Sequence, residues 1–157
     1  MAKKKTNEKT TGCAEYDALM QQMDEARAKF ADMGKAAVGA LFKQFFTDHP
    51  TVTGIGWTQY TPYFNDGEPC EFGVHDFYYT TKQGVNFEEV SSFYDDEEEH
   101  GFKKTYADAA NGEKSIKEAV STLARAVDED IFETAFGDHA QIIATPFGFH
   151  VTEYSHD

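Results

Sequence analysis

Apolar residues recur at three- and four-residue steps from Tyr16 to Leu41. Tyr16, Leu19, Met20, Met23, Ala26, Phe30, Met33, Ala37 and Leu41 form one stripe of an amphipathic helix, and Phe42, Phe45 and Phe46 widen it at its end. Asp48-His49-Pro50 stops the helix, because a residue before proline is pushed out of the α region. Some thirty residues at 1.5 Å each make a rod of roughly 45 Å, longer than a small sheet is wide. The N-terminal half is therefore expected to pack on something else, a homodimer through this helix being one arrangement. A small-residue patch, Gly34, Ala36, Ala37, Gly39 and Ala40, lets the helix approach a neighbour closely.

The pattern then changes to a period of two. Thr51 to Tyr60 is rich in β-branched and aromatic residues, Asn65-Asp66-Gly67 is a turn signal, and Cys70 to Thr80 supplies a returning strand. Pro62 and Pro69 flank the turn and make the hairpin tip irregular. Residues 81–112, with Gly84, Gly101, Gly112 and the run Asp95-Asp96-Glu97-Glu98-Glu99, read as a long exposed connection with room for one short element. A second helix follows, with Ile116, Val120, Leu123, Val127 and Ile131 on one face, Asp128 to Asp130 mostly off it, and Gly137 as C-cap. Gln141 to Tyr154 reads as a final strand, with a bulge or edge position at Pro146 and Gly148.

The order α-β-β-loop-α-β predicts an α+β fold: a small antiparallel sheet of three strands or more, with two long helices packed on one face. Residues 1–12 read as a flexible basic tail and 13–157 as a single domain. Strand alternation puts Cys70, Phe72 and Val74 on one side and Glu71, His75, Phe77 and Tyr79 on the other. In the last strand it groups Ile143, Phe147, Phe149 and Val151 against His150, Thr152 and Tyr154. His75 and His150 would then share an open face.

Charge narrows the function classes. The chain has 14 Lys and Arg against 28 Asp and Glu, a net charge of −14. Residues 1–12 hold Lys3, Lys4, Lys5 and Lys9 against Glu8, a local +3, which leaves −17 on the remainder. Such a field disfavours direct contact with nucleic acid or an anionic membrane and favours basic partners, although the same charge also serves solubility. Cys13 and Cys70 make no CxxC, and MAKKKTNEKTTG has no apolar signal core, so a reducing, cytoplasmic setting is expected. No apolar run approaches the ~18 residues of a membrane span.

Candidate chemistry is sparse. His150-Val151-Thr152 fits the His-x-Thr unit of two-histidine phosphoesterases, in which paired imidazoles act as acid and base. His75-Asp76-Phe77 lacks the hydroxyl of a second unit. His75, His150 and Thr152 are the candidate residues of one reading, a small hydrolase or a sequestering protein for a phosphorylated or nucleotide ligand. His75-Asp76, His100 and His139 stand at no recognised metal spacing, so neither a metal nor a cofactor is expected. Gly54-x-Gly56 lies within a strand, where the glycines are expected to let an aromatic pack over the sheet rather than bind a dinucleotide.

The densest constellation is Trp57-x-Gln59-Tyr60-Thr61-Pro62-Tyr63-Phe64-Asn65-Asp66-Gly67-x-Pro69-Cys70. Trp57, Tyr60, Tyr63 and Phe64 are candidate interface anchors, with a packed hairpin core as the competing reading. This segment resembles one found in small uncharacterised proteins, many of them encoded by bacteriophages. The resemblance covers roughly residues 45–80, includes no catalytic signature and implies a phage origin without assigning residue roles. With the acidic balance, it leads to the expectation of an accessory protein rather than an enzyme. Such a protein binds and inhibits or redirects a host protein, itself basic or nucleic-acid-binding. Asp95, Asp96, Glu97, Glu98 and Glu99, with the four aromatics, are the candidate binding residues.

Overall fold

The computed structural model describes residues 11–63, 67–93, 99–105 and 113–155. Helix α1 (Ala14–Asp48) leads into strand β1 (Gly54–Tyr60), followed by β2 (Gly73–Val74), β3 (Tyr78–Thr80), a 3₁₀ turn at Phe87–Glu89 and β4 (Lys103–Lys104). Helices α2 (Lys114–Ala126) and α3 (Glu129–Phe136) precede strands β5 (Ala140–Thr145) and β6 (Gly148–Glu153). The strands form one antiparallel sheet in the order β4-β3-β1-β5-β6, with β2 paired to the end of β1. The chain is therefore α+β, with its helices packed on one face of the sheet.

Helix α1 runs about 50 Å at 1.5 Å per residue. It ends as its sequence predicts, with the His49 N–H closing on the Phe45 carbonyl at 2.8 Å just before Pro50. The buried face of α1 is not the expected stripe. Val38, Phe42, Phe45 and Phe46 enter the core, whereas Tyr16, Leu19, Met23, Phe30, Met33 and Leu41 stay exposed. At 100° per residue the two sets lie about a third of a turn apart, so α1 carries two apolar faces and only one meets the sheet.

The core on the helix side is built around Trp57, which is 0 % exposed. Its ring stacks between Phe42 (centroids 5.4 Å) and Phe77 (4.8 Å), with Phe132 and Phe136 edge-on at 5.3 and 5.8 Å. Of the two readings of the aromatic hairpin, Trp57 follows the packed-core one and cannot touch a partner.

Several local expectations are corrected. The returning strand Cys70–Thr80 divides into β2 and β3, because Gln59 pairs with Val74 but Gly56 with Tyr78. Three steps on β1 thus span four on its neighbour, a bulge that reverses the side-chain alternation. Val74 consequently packs on the same helix-side core as Phe77 and Tyr79, not opposite them. The final strand is a hairpin, with Thr145 paired to Gly148 across a two-residue turn at Pro146-Phe147. Proline suits the first central position of a turn, and the Thr145 hydroxyl oxygen accepts the Phe147 N–H at 3.2 Å. Ile143 therefore lies across from His150, while Phe149 faces the helices. The helix expected from 113 to 137 breaks at Val127 and Asp128, both extended, although Gly137 does cap it with φ 87°.

The connection from 81 onward is not simply exposed. Val90, Phe93, Phe102 and Ile143 form a second apolar cluster on the other face of the sheet, with Tyr78 and Phe87 against it. That face is therefore covered, and β4 adds an edge strand. The expected role of the paired glycines is met. A Cβ at Gly54 would stand 2.8 Å from the Phe87 ring, and one at Gly56 would stand 2.3 Å from the Phe93 ring.

Candidate functional site

The elements that carry them place His75, His150, Thr152, Glu99, Trp57, Tyr60 and Tyr63. Asp95, Asp96, Glu97, Glu98 and Phe64 lie outside the described residues. Glu99 is exposed, and its backbone carbonyl accepts the Lys82 ammonium at 2.7 Å. Tyr60 is buried at the end of β1, stacked on His75 at 3.9 Å and tilted toward Tyr154 at 5.6 Å. Burial, with Tyr154 and Asp76 nearby, holds its phenol above the ordinary tyrosine range. Tyr63 is the one described anchor that faces solvent, 71 % exposed and stacked on His139 at 4.9 Å.

A clasp that the sequence did not announce presents Tyr63. Asp138 follows the cap of α3 and accepts the Thr61 N–H at 2.7 Å and the Thr61 hydroxyl at 2.6 Å. Its carboxylate also accepts the His139 N–H at 2.8 Å. His139 itself holds a left-handed φ of 52°. The clasp joins groups 77 positions apart in the chain, which no local pattern marks. Burial alone would raise the Asp138 carboxyl, but the Thr61 hydroxyl, the two backbone N–H groups and the His139 ring outweigh it and hold it below the usual carboxylate range. The Lys103 ammonium, 2.8 Å from Glu113, lowers that carboxyl too.

A depressed folded-state pKa gives stability that is complete above the unfolded value near 4 and is lost as pH falls through the folded value. Asp138→Asn is therefore expected to lower Tm at pH 7 and to flatten the loss of Tm between about pH 4.5 and 3. Thermal melts of both proteins across that range check this. Equal acid slopes would mean that the clasp does not titrate with folding.

The two histidines are not brought together. His75 contacts Tyr60, and Tyr60 in turn meets Tyr154, which lies four residues beyond His150 or about 13 Å along extended chain. His75 lines an open cleft of about 630 Å³ beside Asp76, Ser121 and Arg125 over Phe77 and Phe132. His150 and Thr152 do share a hollow, of about 250 Å³, between β6 and the 3₁₀ turn, with Phe87, Glu88 and Gln141. Gln141 donates to the Val90 carbonyl at 3.0 Å, while its own buried side-chain oxygen has no hydrogen-bond partner among the described residues. No group of three or more potential metal ligands occurs among the described residues.

The remaining feature is charge. Asp128, Glu129 and Asp130 open α3 on its exposed side, and Glu133 follows half-buried. Acids there complement the helix dipole, which is reason enough for some of them. Glu15, Asp17, Asp24, Glu25 and Asp32 are spread along α1, with all of these but Asp17 exposed. Arg27 pairs with one of them, Asp24, at 3.2 Å. No helix among the described residues is long and apolar enough to cross a membrane. Comparison with protein-family models, with curated proteins and with solved structures finds no match to this chain.

Proposed function

We propose that this chain is a phage-type accessory protein that binds a basic, nucleic-acid-binding host protein through its carboxylate surface and inhibits or redirects it. One observation carries the reading. Twenty-eight carboxylates face 14 Lys and Arg, so even complete pairing would leave a net charge of −14 uncompensated. A surface of this kind attracts cationic proteins over the Debye length and offers them oxygen anions where they otherwise meet phosphates. The exposed acids that open α3, with Glu99 and the run before it, are the proposed contact groups, and the exposed Tyr63, stacked on His139 past the other end of α3, is a separate aromatic anchor.

Immobilised protein is expected to retain a basic partner from host lysate at about 50 mM salt and to release it by about 0.5 M, as screening shortens the field. The triple variant Asp128→Asn, Glu129→Gln, Asp130→Asn should weaken retention without altering the Trp57 emission. Failure to retain any partner at low salt would remove the proposal's main support.

A second reading keeps one specific observation in its favour. His150, Thr152 and the Gln141 side-chain oxygen, which has no partner among the described residues, converge on one hollow. That arrangement suits sequestering a small hydrogen-bond donor such as a nucleobase rather than two-histidine hydrolysis, since His75 is elsewhere. Its volume is below the usual range for small-molecule sites, about 300–1,000 Å³. A thermal shift with nucleotides that disappears in His150→Ala would favour this reading over the first.

A further inference from the structure

The N-terminal half of α1 is the least supported part of the described structure. Every residue from 21 to 30 is exposed. Its composition explains why it is helical: Ala, Leu, Met, Gln, Glu, Arg and Lys dominate, and no Gly or Pro occurs between Ala14 and Met33. Yet a helix of about this length is marginal in water without packing. Along it runs an apolar stripe whose large members range in exposure from 48 % for Met23 to 62 % for Met33. Scattered apolar residues are ordinary on a surface, but a contiguous row on one helix marks an interaction face.

The spacing of the stripe identifies the kind of partner. Tyr16, Leu19, Met23, Ala26, Phe30 and Met33 are separated by 3, 4, 3, 4 and 3 residues. This is the a/d repeat of a left-handed coiled coil, with a mean period of 3.5 rather than the 3.6 of a helix lying on a sheet. The flanking e and g positions are Met20, Gln22, Arg27 and Lys29, with Glu15 at the tip. The other acids, Asp17, Asp24, Glu25 and Asp32, all sit on the outer b and c positions. The seam is thus free of the carboxylates that dominate the rest of the molecule.

We infer that residues 14–33 of α1 form an antiparallel two-stranded coiled coil with the same segment of a second copy of this chain. The area suffices. Five large side chains of roughly 200 Å² each, about half exposed, together with Met20 and Ala26, offer about 600 Å² per copy. The pair would bury about 1,200 Å², within the range of specific interfaces.

Charge and side-chain size select the direction. A parallel coil would set the two acidic bodies side by side, whereas an antiparallel one separates them by about 30 Å of helix, several Debye lengths. Antiparallel pairing places each a residue against a d residue of its partner copy. Tyr16 then meets Met33, Leu19 meets Phe30 and Met23 meets the small Ala26. A parallel coil would instead stack Ala26 on itself and Phe30 on itself. Antiparallel flanks bring Arg27 near Met20 and Lys29 near Gln22, with no like charges opposed. The result would be a dumbbell with an acidic body at each end, which makes host-protein binding bivalent.

Sedimentation of the full chain tests this. At about 50 µM and 0.15 M salt, the wild type is expected at twice its 17.6 kDa mass. Met23→Glu with Phe30→Glu should shift it to the monomer, weakening association at least 100-fold, while the emission of buried Trp57 stays unchanged. Asp24→Asn, on the outer face, should leave the dimer intact. In a Cys70→Ser background, oxidation should not link the two Cys13 thiols, which antiparallel pairing holds about 35 Å apart. A monomeric wild type, or a Met23→Glu/Phe30→Glu variant as dimeric as the wild type, would overturn the inference. Ready Cys13–Cys13 linkage within the dimer would overturn the antiparallel direction.

Discussion

Gln59→Leu should cost about 3–5 kcal/mol, although the two side chains are close in size. Gln59 is 0 % exposed, in the strand at the centre of the sheet. Its amide oxygen accepts the Trp57 indole N–H at 3.1 Å. Its amide nitrogen donates to the Phe132 carbonyl at 3.0 Å and to the Gly137 carbonyl at 2.6 Å. One side chain thereby fixes the orientation of the core tryptophan and ties β1 to the end of α3. Leucine fills the space but leaves the buried indole N–H without its acceptor and takes a donor from the buried Phe132 carbonyl, each costing about 1–3 kcal/mol, and it also loses the tie to the part-buried Gly137 carbonyl. A domain of this size loses about 2–4 °C of Tm per kcal/mol, so a drop of roughly 10 °C is expected. Urea unfolding followed by Trp57 emission measures it. Gln59→Glu separates polarity from shape. The introduced carboxyl would face two carbonyl oxygens, so its folded-state pKa is raised and the variant should gain stability relative to wild type as pH falls from 7 toward 5. A Gln59→Leu protein within about 1 kcal/mol of wild type would show that the clamp is not formed.

The second large effect is expected at Gly56. A Cβ there would lie 2.3 Å from the Cε1 and Cζ atoms of Phe93, far inside van der Waals contact. Phe93 is buried, 4.9 Å from the Phe102 ring and 5.2 Å from Tyr78, and these two rings restrict its swing. Gly56→Val therefore combines overpacking, about 1–3 kcal/mol, with expulsion of a phenylalanine, about 1.5–3 kcal/mol. A total near 4 kcal/mol is expected, with Phe87 to Phe93 lifted from the sheet and newly cleaved by protease. The control is a size exchange. In a Phe93→Ala background the same Gly56→Val change should cost less than half as much, because the two sites share one volume. Additive costs would place the strain elsewhere. Gly54→Ala should be milder, because the ring it meets, Phe87, is only half-buried and can move outward.

These two positions also show how far the sequence could be read. The glycine pair in β1 was legible as a place where an aromatic lies over the sheet, since Gly in a strand has few other uses. Which aromatic does so was not legible, because Phe87 and Phe93 arrive from a connection more than thirty residues away. Gln59 gave no signal at all. A lone glutamine in a strand reads as a surface residue until α3 is seen to place two carbonyls over it. The bulge after Val74 misled the alternation, because one extra residue reverses every face beyond it. His75 and His150, grouped by that alternation, consequently proved to belong to different hollows.

Periodicity, composition and breakers by themselves determined the α+β class, the long first helix with its stop at Pro50, the Gly137 cap and the acidic character of the surface. All of these follow from local geometry or from counting, and neither needs to know what lies opposite. Tertiary structure alone decided that α1 turns its phenylalanines and not its longer stripe into the core. It alone joined Asp138 to Thr61, and it alone covered the second face of the sheet. Those outcomes depend on which of several comparable apolar surfaces find complementary partners, a property of two segments together that neither segment's sequence contains.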